Sequence, residues 1–384
     1  MKPWNSFLSA VGVVLAASII AGCSSNGTSA AFAPPAPAVA AGHGTASTSA
    51  ASLLAMTTVA KITTLRQAQH MQTSVASPLG CVEGKDWLWC QYWQFDGCPP
   101  YCTNPVMYIS DDYDIYEYGK TLQTIGDNNQ PYGECVDAKG DTWITNFSGG
   151  TVVEYAHGGT QPIATLGTDG YSIGCSVSPN GDLAVANFST ASGIGNVQVF
   201  KHASGTPTNY SSQSAPYLWP PGYDAQGNLF VEAETASGGV GVFGLPAGGS
   251  SLDPTPVPWT INVPGSVMWD GKYITFTDQE AGGPSANATT IYQARETKSG
   301  LVPAGTTTLQ DTCSGSQVDV VQPFIVGKKN TPVNKRQGAL VIGGNLYCQN
   351  RLDAWKYPAG GQPVGIAGPA PQYAYGQAVS GREK

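Results

Sequence analysis

The chain of 384 residues contains 48 Gly, 28 Pro and 11% charged residues, and its formal net charge is −8. This length allows a large core, and low charge with many turn-forming residues is typical of an exported all-β protein. The acidic balance argues against binding to nucleic acid, which needs clustered Lys and Arg. The densest basic run, Lys328 to Arg336, is interrupted by Thr331-Pro332-Val333-Asn334.

Residues 1–22 have the pattern of an export signal. Lys2 precedes an apolar stretch from Phe7 to Ile20, which is too short to span a membrane and leads into Ala21-Gly22-Cys23. This order of apolar stretch, small residues and Cys resembles the signal of bacterial lipoproteins, in which the Cys is acylated, with palmitate among its chains. The resemblance implies a lipid anchor at Cys23, and Ser24 after it implies the outer membrane or cell surface. An ordinary secretory peptide is the alternative.

Residues 23–75 are predicted to form a disordered tether. Residues 24–52 are almost wholly Ala, Ser, Thr, Gly and Pro, so this stretch lacks the apolar surface that would offset its ordering entropy. Leu54, Val59, Ile62 and Leu65 are compatible with one face of a short helix near its end. Such a tether would hold the rest of the chain away from a bilayer.

Residues 76–105 are predicted to form a capping segment rich in Cys and Trp. Apart from Cys23, the chain has an even number of Cys, which suggests disulfides in an exported protein. Four lie here and can pair in three ways: Cys81, Cys90, Cys98 and Cys102. Cys98 and Cys102 also have the spacing of a zinc-ligand pair, but no His is nearby, so we favour disulfides.

Trp87, Trp89 and Trp93 in the capping segment share parity, so on a strand they would share one face. A row of exposed indoles can stack on sugar rings or contact a partner. The same row can be buried as a plug against the domain that follows. We favour the plug, because a stapled segment that precedes a ring usually packs onto it.

Residues 106–384 contain a repeated unit. A short apolar strand ends in an aromatic or similar residue and enters a Gly-rich turn at six places: Tyr118, Tyr155, Phe200, Phe243, Gln293 and Trp355. Upstream of several copies a Gly-polar turn joins two apolar runs, as in Lys139-Gly140-Asp141 and Asn180-Gly181-Asp182. Self-similar units of about 40 to 50 residues built from short strands are typical of propeller blades. The predicted fold is an all-β, six-bladed β-propeller with four strands in each blade.

The C-terminus predicts how the ring closes. Gln130 to Val136 opens one unit, and Pro371 to Ser380 repeats that opening with no unit after it. The unit at Met107 to Ile125 lacks an opening, so we predict that the Tyr375–Ser380 strand pairs with the Met107–Asp111 region. Pairing the two ends of the array leaves only short, protected strand edges.

The remaining cysteines suggest bridges within this domain. Cys135 and Cys175 occupy nearly equivalent places in neighbouring units, so a disulfide between blades is geometrically plausible. Cys313 and Cys348 would then be left for each other.

The units resemble those of the NHL-repeat and gluconolactonase-like propellers, a superfamily that includes the streptogramin lyases. In those repeats a strand ends in Asp or Asn before the aromatic-ended strand, as at Asp111, Asn146, Asn187 and Asp278 here. Gluconolactonase-like enzymes bind a divalent metal in the central channel through Glu, Asn and Asp. The resemblance therefore implies Ca²⁺ or Zn²⁺ at Asn146, Asn187 and Asp278. The alternative, which we favour from the residues themselves, is that these side chains cap turns by accepting hydrogen bonds from backbone N–H groups.

The residues themselves indicate no catalytic site and no cofactor. His157 and His202 occupy similar turns of two units, and few carboxylates lie outside turns. We therefore predict an anchored propeller that binds a protein or carbohydrate ligand, with a metal-dependent lactonase or lyase as the alternative. A channel mouth lined by aromatic and neutral polar groups would favour binding. A metal held by at least three carboxylate or amide side chains would favour the enzyme.

Overall fold

The computed structural model describes residues 102–111, 113–118, 122–126, 129–282, 288–297, 300–311, 318–326, 339–346, 352–368 and 374–383. The predicted signal, tether and most of the capping segment lie outside these ranges. So do the predictions for Cys23, Cys81, Cys90, Cys98, Trp87, Trp89, Trp93, Cys313 and Cys348 and for the side chain of Cys102. No helix within the described ranges is long and apolar enough to cross a membrane.

The described chain is built almost entirely of short strands, with one 3₁₀ turn at Lys201–Ala203. The earlier strands are β1 (Cys102–Ser110), β2 (Asp114–Tyr118), β3 (Leu122–Gly126), β4 (Pro131–Val136), β5 (Thr142–Asn146), β6 (Thr151–Tyr155), β7 (Pro162–Gly167), β8 (Gly170–Val177), β9 (Leu183–Thr190), β10 (Asn196–Phe200) and β11 (Thr208–Tyr210). The later strands are β12 (Tyr217–Leu218), β13 (Gly222–Tyr223), β14 (Leu229–Glu234), β15 (Val240–Leu245), β16 (Asp253–Pro254), β17 (Pro264–Trp269), β18 (Ile274–Ala281), β19 (Ala288–Thr297), β20 (Gly300–Thr308), β21 (Phe324–Val326), β22 (Ala339–Gly344), β23 (Leu352–Tyr357), β24 (Gly365–Gly368) and β25 (Gly376–Glu383).

These strands form six antiparallel sheets, which confirms the predicted six-bladed propeller. From the inside outwards, blade 1 is β25-β1-β2-β3, blade 2 is β4 to β7 and blade 3 is β8 to β11. Blade 5 is β17 to β20 and blade 6 is β21 to β24. In blade 4 the first strand is divided into β12 and β13, which both pair with β14 ahead of β15 and β16. Pro220 and Pro221 lie at this break, where they cannot donate to the ladder.

The aromatic landmarks of the sequence all lie on the third strand of a blade, and the five whose burial the structure describes are buried. Tyr155 and Phe200 end β6 and β10, whereas Trp355 lies inside β23 and donates its indole N–H to the Gln310 carbonyl at 2.9 Å. These side chains pack between neighbouring sheets. The repeat is therefore visible in the sequence because five blades carry a large aromatic residue at this position, whereas blade 5 carries Gln293.

Turns between first and second strands form one face of the ring, here called the first face. In blades 2 to 4 a polar side chain opens the turn and a Gly at positive φ follows: Gly140 at 85°, Gly181 at 81° and Gly227 at 85°. Asp137 Oδ1, for example, accepts the backbone N–H groups of Lys139 at 2.8 Å and Asp141 at 2.9 Å. The opposite face, which carries the turns between second and third strands, is here called the second face.

The first strands surround the ring centre and approach one another very closely. A Cβ on Gly376, Gly133, Gly174 or Gly222 would in each case clash with an atom of the next blade's first strand. At Gly133 the obstructing atoms are the Ile173 carbonyl and the Gly174 Cα, which are backbone and cannot move aside cheaply. Glycine is therefore required at these positions by space rather than by φ.

The C-terminal strand closes the ring as predicted. β25 pairs antiparallel with β1, with Met107 opposite Val379 and Ser110 opposite Gly376. Ser380 Oγ also lies 2.5 Å from His157 Nδ1 and donates to the Gly140 carbonyl, so the last strand of the chain is bonded to blade 2. A disulfide between Cys135 in β4 and Cys175 in β8, with Cα atoms 5.5 Å apart, joins blades 2 and 3.

Candidate functional site

A ladder of stacked aromatic rings leads from the ring centre to the second face. Tyr375 and Tyr132 stack at 4.7 Å between centroids, Tyr132 and Phe147 lie 5.7 Å apart, and Phe147 and Tyr171 stack at 5.0 Å. The inner three rings are buried, whereas Tyr171 at the outer end is 47% exposed. Tyr375 and Tyr132 immediately precede the close-packed Gly376 and Gly133, Phe147 directly follows β5, and Tyr171 lies at the start of β8. The ladder therefore comes from the openings of three consecutive blades.

A second aromatic group lies on the same face at blades 3 and 4. Phe188 stacks on Tyr217 at 5.2 Å and meets Trp219 edge-on at 6.2 Å. Glu234 lies opposite Tyr217 in the sheet, and burial raises the pKa of its carboxyl, while the Trp219 indole opposes that rise. Tyr217 is partly exposed, so this group also reaches the surface.

The ring centre itself is crossed by a neutral amide. Gln322, just before β21 of blade 6, donates Nε2–H to the Glu134 carbonyl at 2.7 Å and accepts the Glu134 N–H at 3.2 Å. Glu134 lies on the first strand of blade 2, so this side chain bridges two blades that are not neighbours. The Gln322 side chain supplies hydrogen-bond partners to backbone groups of Glu134 that face the ring centre, where no neighbouring strand can pair with them. It thereby links blades 2 and 6 across the ring.

Several carboxyls are buried in strands, among them Glu134 and Glu232, and the sequence argument missed them because it expected few carboxylates outside turns. Neither oxygen of the Glu134 side chain has a hydrogen-bond partner, although the Ser110 hydroxyl and the Ala378 backbone are nearby. Burial raises the pKa of Glu134 to about 8. Glu232 on β14 differs, since its oxygens accept the backbone N–H groups of Gly265 at 2.6 Å and Thr277 at 2.8 Å, and burial still raises its pKa. Glu232 therefore ties blade 4 to blade 5.

The three candidate metal ligands lie at or near the ends of second strands, each bonded within its own blade. Asn146 donates to Thr151 Oγ1 at 3.0 Å, and its buried Oδ1 has no partner. Asn187 Oδ1 accepts from Ser172 Oγ at 2.8 Å, and its Nδ2 lies within 2.7–3.2 Å of three acceptors. Asp278 accepts the Asn262 amide and two backbone N–H groups. Asn187 Oδ1 and both carboxylate oxygens of Asp278 already accept hydrogen bonds, whereas Asn146 Oδ1 does not.

The turn-cap alternative is seen in two of the four strand-end residues. Asp111 Oδ1 accepts the N–H groups of Tyr113 at 2.7 Å and Asp114 at 2.8 Å, and Asp278 Oδ1 accepts those of Val263 and Glu280. Asn146 and Asn187 differ because their partners are side chains. An amide can donate as well as accept, so it joins polar side chains instead of capping a turn.

One acidic cluster in the described chain is compact enough for a metal, on the first face of blade 2. Carboxylate oxygens of Asp137, Asp141 and Glu154 lie within 4.8 Å of one another. Asp137 already accepts backbone N–H groups of its own turn, and Asp141 accepts the backbone N–H of His157 after β6. Burial together with the two Asp charges raises the pKa of Glu154. His157 and His202 donate their backbone N–H groups to Asp141 and Asp182 in matching places, so they are features of the repeat.

The sheets and their closure define the class of this protein, a six-bladed β-propeller. No protein-family model and no curated protein matches the chain. Solved structures do match: a chain of a nidogen–laminin complex aligns with a TM-score of 0.52 and 12% identity, over 72% of this chain and 98% of that chain. A putative gluconolactonase aligns with a TM-score of 0.46 and 12% identity, over 65% and 88%. Streptogramin B lyase aligns with a TM-score of 0.40 and 12% identity, over 67% and 71%. At these identities the likeness concerns the fold and assigns no activity.

Proposed function

We propose that this protein is an extracytoplasmic lipoprotein, anchored at Cys23, whose propeller binds a ligand or partner at its second face. The observation that carries the binding role is the aromatic ladder that ends in the exposed ring of Tyr171. Binding sites are lined mainly by aromatic and apolar groups with a few fixed polar groups. The described residues of the aromatic ladder have this composition, and the amide of Gln322 at the ring centre is neutral.

The order of segments supports the anchor. An acylated Cys23 followed by a polar tether would place the propeller outside the membrane, with its loops free to meet a ligand. Mature lipoproteins of the kind that the signal resembles carry more than one acyl chain. Such anchoring is stable, whereas a single chain holds a protein only marginally.

Cell fractionation of Cys23→Ala tests the anchor. The variant lacks the thiol that carries the acyl chains, and the tether is too polar to hold a membrane, so we expect the protein in the soluble envelope fraction. Ser25→Ala is the matched control and should stay in the membrane pellet. A Cys23→Ala protein that still sediments with membranes would contradict the lipoprotein assignment.

A thermal-shift screen of the full-length protein in detergent tests the binding role. A ligand of the second face should raise the melting temperature of the wild type and do so much less for Tyr171→Ala or Tyr217→Ala, which remove exposed contact area. Ligands whose stabilisation is the same in all three proteins would place binding elsewhere.

The metal-dependent lactonase or lyase stays an alternative hypothesis. It requires Asn146, Asn187 and Asp278 to release their bonds within the blades and share a divalent cation. Lactone hydrolysis that is lost with chelator and restored by Ca²⁺ or Zn²⁺ would favour it over binding alone.

A further inference from the structure

The exposed end of the aromatic ladder is a tyrosine ring that rests on another ring. Tyr171 stacks on Phe147 at 5.0 Å with 29° between the ring planes, yet 47% of the residue is exposed. One face of the ring is therefore supported by protein while the side chain remains accessible. An aromatic side chain fixed in this way loses little conformational entropy when a ligand stacks on it.

A network of polar side chains begins two residues before Tyr171. The exposed carboxylate of Asp169 accepts amide N–H groups from Asn196 at 3.0 and 3.1 Å, Asn209 at 3.0 Å and Asn187 at 3.2 Å. Gln198 donates to Asn209 Oδ1 at 3.1 Å. Asn187, Asn196 and Gln198 are buried, whereas Asp169 and Asn209 are exposed. The buried amides thus fix the orientation of the exposed side chains of Asp169 and Asn209, as the residues behind a binding site fix the residues that contact its ligand.

This network has hydrogen-bonding capacity to spare. Asn209 uses one of its two amide hydrogens on Asp169 and keeps the second. Asn187 Nδ2 has two hydrogens but lies near three acceptors, on Asp169, Asn196 and Gln198. Asp169 Oδ1 also accepts from Asn196, and Gln198 Oε1 also accepts the Asp169 backbone N–H, so none of these acceptors lacks a donor. The spare donor of Asn209 beside the exposed carboxylate of Asp169 matches a hydroxyl, which both donates and accepts.

The charge at this site disfavours an anionic ligand. The side-chain partners of Asp169 among the described residues are neutral amides. A phosphate or an acidic glycan would meet an uncompensated carboxylate and be repelled.

The exposed apolar surface is too scattered for a large protein interface. In the described part of the chain the large exposed hydrophobic side chains are Tyr113, Ile163, Tyr171 and Val364, which belong to different blades or different strands. A specific protein interface needs roughly 1,600 Å² with an apolar centre. One supported ring two residues along the chain from a fixed carboxylate instead suits one ring of a sugar, with stacking on its C–H face and hydrogen bonds to adjacent hydroxyls.

We propose that Asp169, Tyr171 and Asn209 form a subsite for one unit of a neutral carbohydrate chain. This inference rests on the proposed function, since it names the ligand class of the second face. The subsite lies where blade 2 leads into blade 3, at the outer end of the aromatic ladder.

Retention of the full-length protein in detergent on immobilised polymers tests the subsite. The probes are three neutral polysaccharides (dextran, mannan and a soluble β-glucan), the anionic polysaccharide alginate and a peptide library. We expect retention on at least one neutral polymer, lowered about tenfold in Tyr171→Ala and Asn209→Ala. Tyr171→Phe keeps the ring and should bind as the wild type does. Tyr113→Ala removes another exposed tyrosine of the second face, so it is the matched control and should also bind normally. Unchanged melting temperatures would show that the variants are folded.

The other outcomes separate the two proposals. Peptide binding that depends on Tyr171, without neutral polysaccharide binding, would overturn the carbohydrate subsite and leave the second-face binding role standing. Preferential retention on alginate would likewise overturn a neutral ligand. If no probe bound in a manner that depends on Tyr171 or Tyr217, both the subsite and the binding role would fail.

Discussion

At the scale of single residues, Glu134 and Glu232 show that two buried carboxyls of one fold can do different things. Glu232 accepts two backbone N–H groups from blade 5, and these bonds oppose the rise that burial causes in its pKa without cancelling it. Glu134 has no partner, and burial raises its pKa to about 8 from an ordinary value of 4.5. Its protonated form is therefore favoured in the folded state at neutral pH. The contribution of Glu134 to stability is then complete below about pH 4.5 and declines as the pH rises through about 8.

Glu134→Gln should remove this loss. Gln is neutral at every pH and nearly the same size, so we expect the variant to be more stable than the wild type at pH 9, by on the order of a few kcal/mol. The difference should shrink towards pH 5, where Glu134 is protonated in the folded protein. Denaturant unfolding of both proteins from pH 5 to 9 measures it. Parallel pH profiles for the two proteins would refute the shifted pKa.

Glu232→Gln should have the opposite result. Gln offers one acceptor where Glu232 offers two, and its NH₂ group would face a backbone N–H of Gly265 or Thr277. We expect a loss of about 1–3 kcal/mol in the free energy of unfolding at pH 5. The loss should narrow as the pH rises, because burial raises the pKa of Glu232 and the wild type therefore loses stability with pH. The same denaturant series measures it, and a neutral effect would mean that these bonds contribute nothing to holding blades 4 and 5 together.

The two carboxyls also mark where sequence reasoning failed. A Glu in a strand is normally expected to face solvent. The alternation of side chains along a strand shows on which side of the sheet a residue lies, but it does not show what covers that side. The partners of Glu232 come from another blade, and those groups are 33 and 45 residues away in sequence. The repeated Tyr-Gly of Tyr132-Gly133 and Tyr375-Gly376 was the available signal for the ladder. It identified the opening of a blade but not the stack that the openings form.

At the scale of elements, the first strands depend on glycine for their close approach. Gly133→Ala would push a methyl group into the Ile173 carbonyl and Gly174 Cα of blade 3, both backbone. We expect a loss of about 1–3 kcal/mol, measured by denaturant unfolding. Gly167→Ala is the matched control, since no atom lies within 4 Å of the added Cβ and it should be close to neutral. Equal effects at the two positions would rule out a steric requirement at the ring centre.

The disulfide between β4 and β8 stabilises the same pair of strands by a covalent route. Removing it with Cys135→Ala and Cys175→Ala together should lower the free energy of unfolding by about 2–4 kcal/mol, because the unfolded chain then regains the freedom of a loop of 40 residues. Unfolding of the wild type in reducing buffer should approach that of the double variant. A wild type that loses no stability on reduction would argue against this bridge.

At the scale of the whole molecule, the number of blades and the closure of the ring were predictable from the sequence, whereas the contacts across the ring centre were not. Aromatic third strands and Gly hairpins recur along the sequence, and the unmatched opening at the C-terminus has one obvious partner. The bond of Gln322 to Glu134 joins residues 188 positions apart in blades that are not neighbours. No local pattern specifies such a contact, because it exists only once the ring is closed.

Closure by β25 makes the ring a single cooperative unit. Deleting residues 376–384 would leave β1 with an unpaired inner edge, remove the bonds of Ser380 to blade 2 and take Ala378 and Val379 out of the core between blades 6 and 1. An exposed inner strand edge also invites pairing between molecules. We therefore expect the truncated protein to lose its cooperative thermal transition and to aggregate, as followed by circular dichroism and light scattering. A synthetic peptide covering residues 374–384 should restore part of the transition, since it can supply the missing strand in trans.

Deletion of Lys384 alone is the control and should leave melting unchanged, because β25 ends at Glu383. A truncated protein that melts cooperatively at the wild-type temperature would show that the ring holds without its last strand.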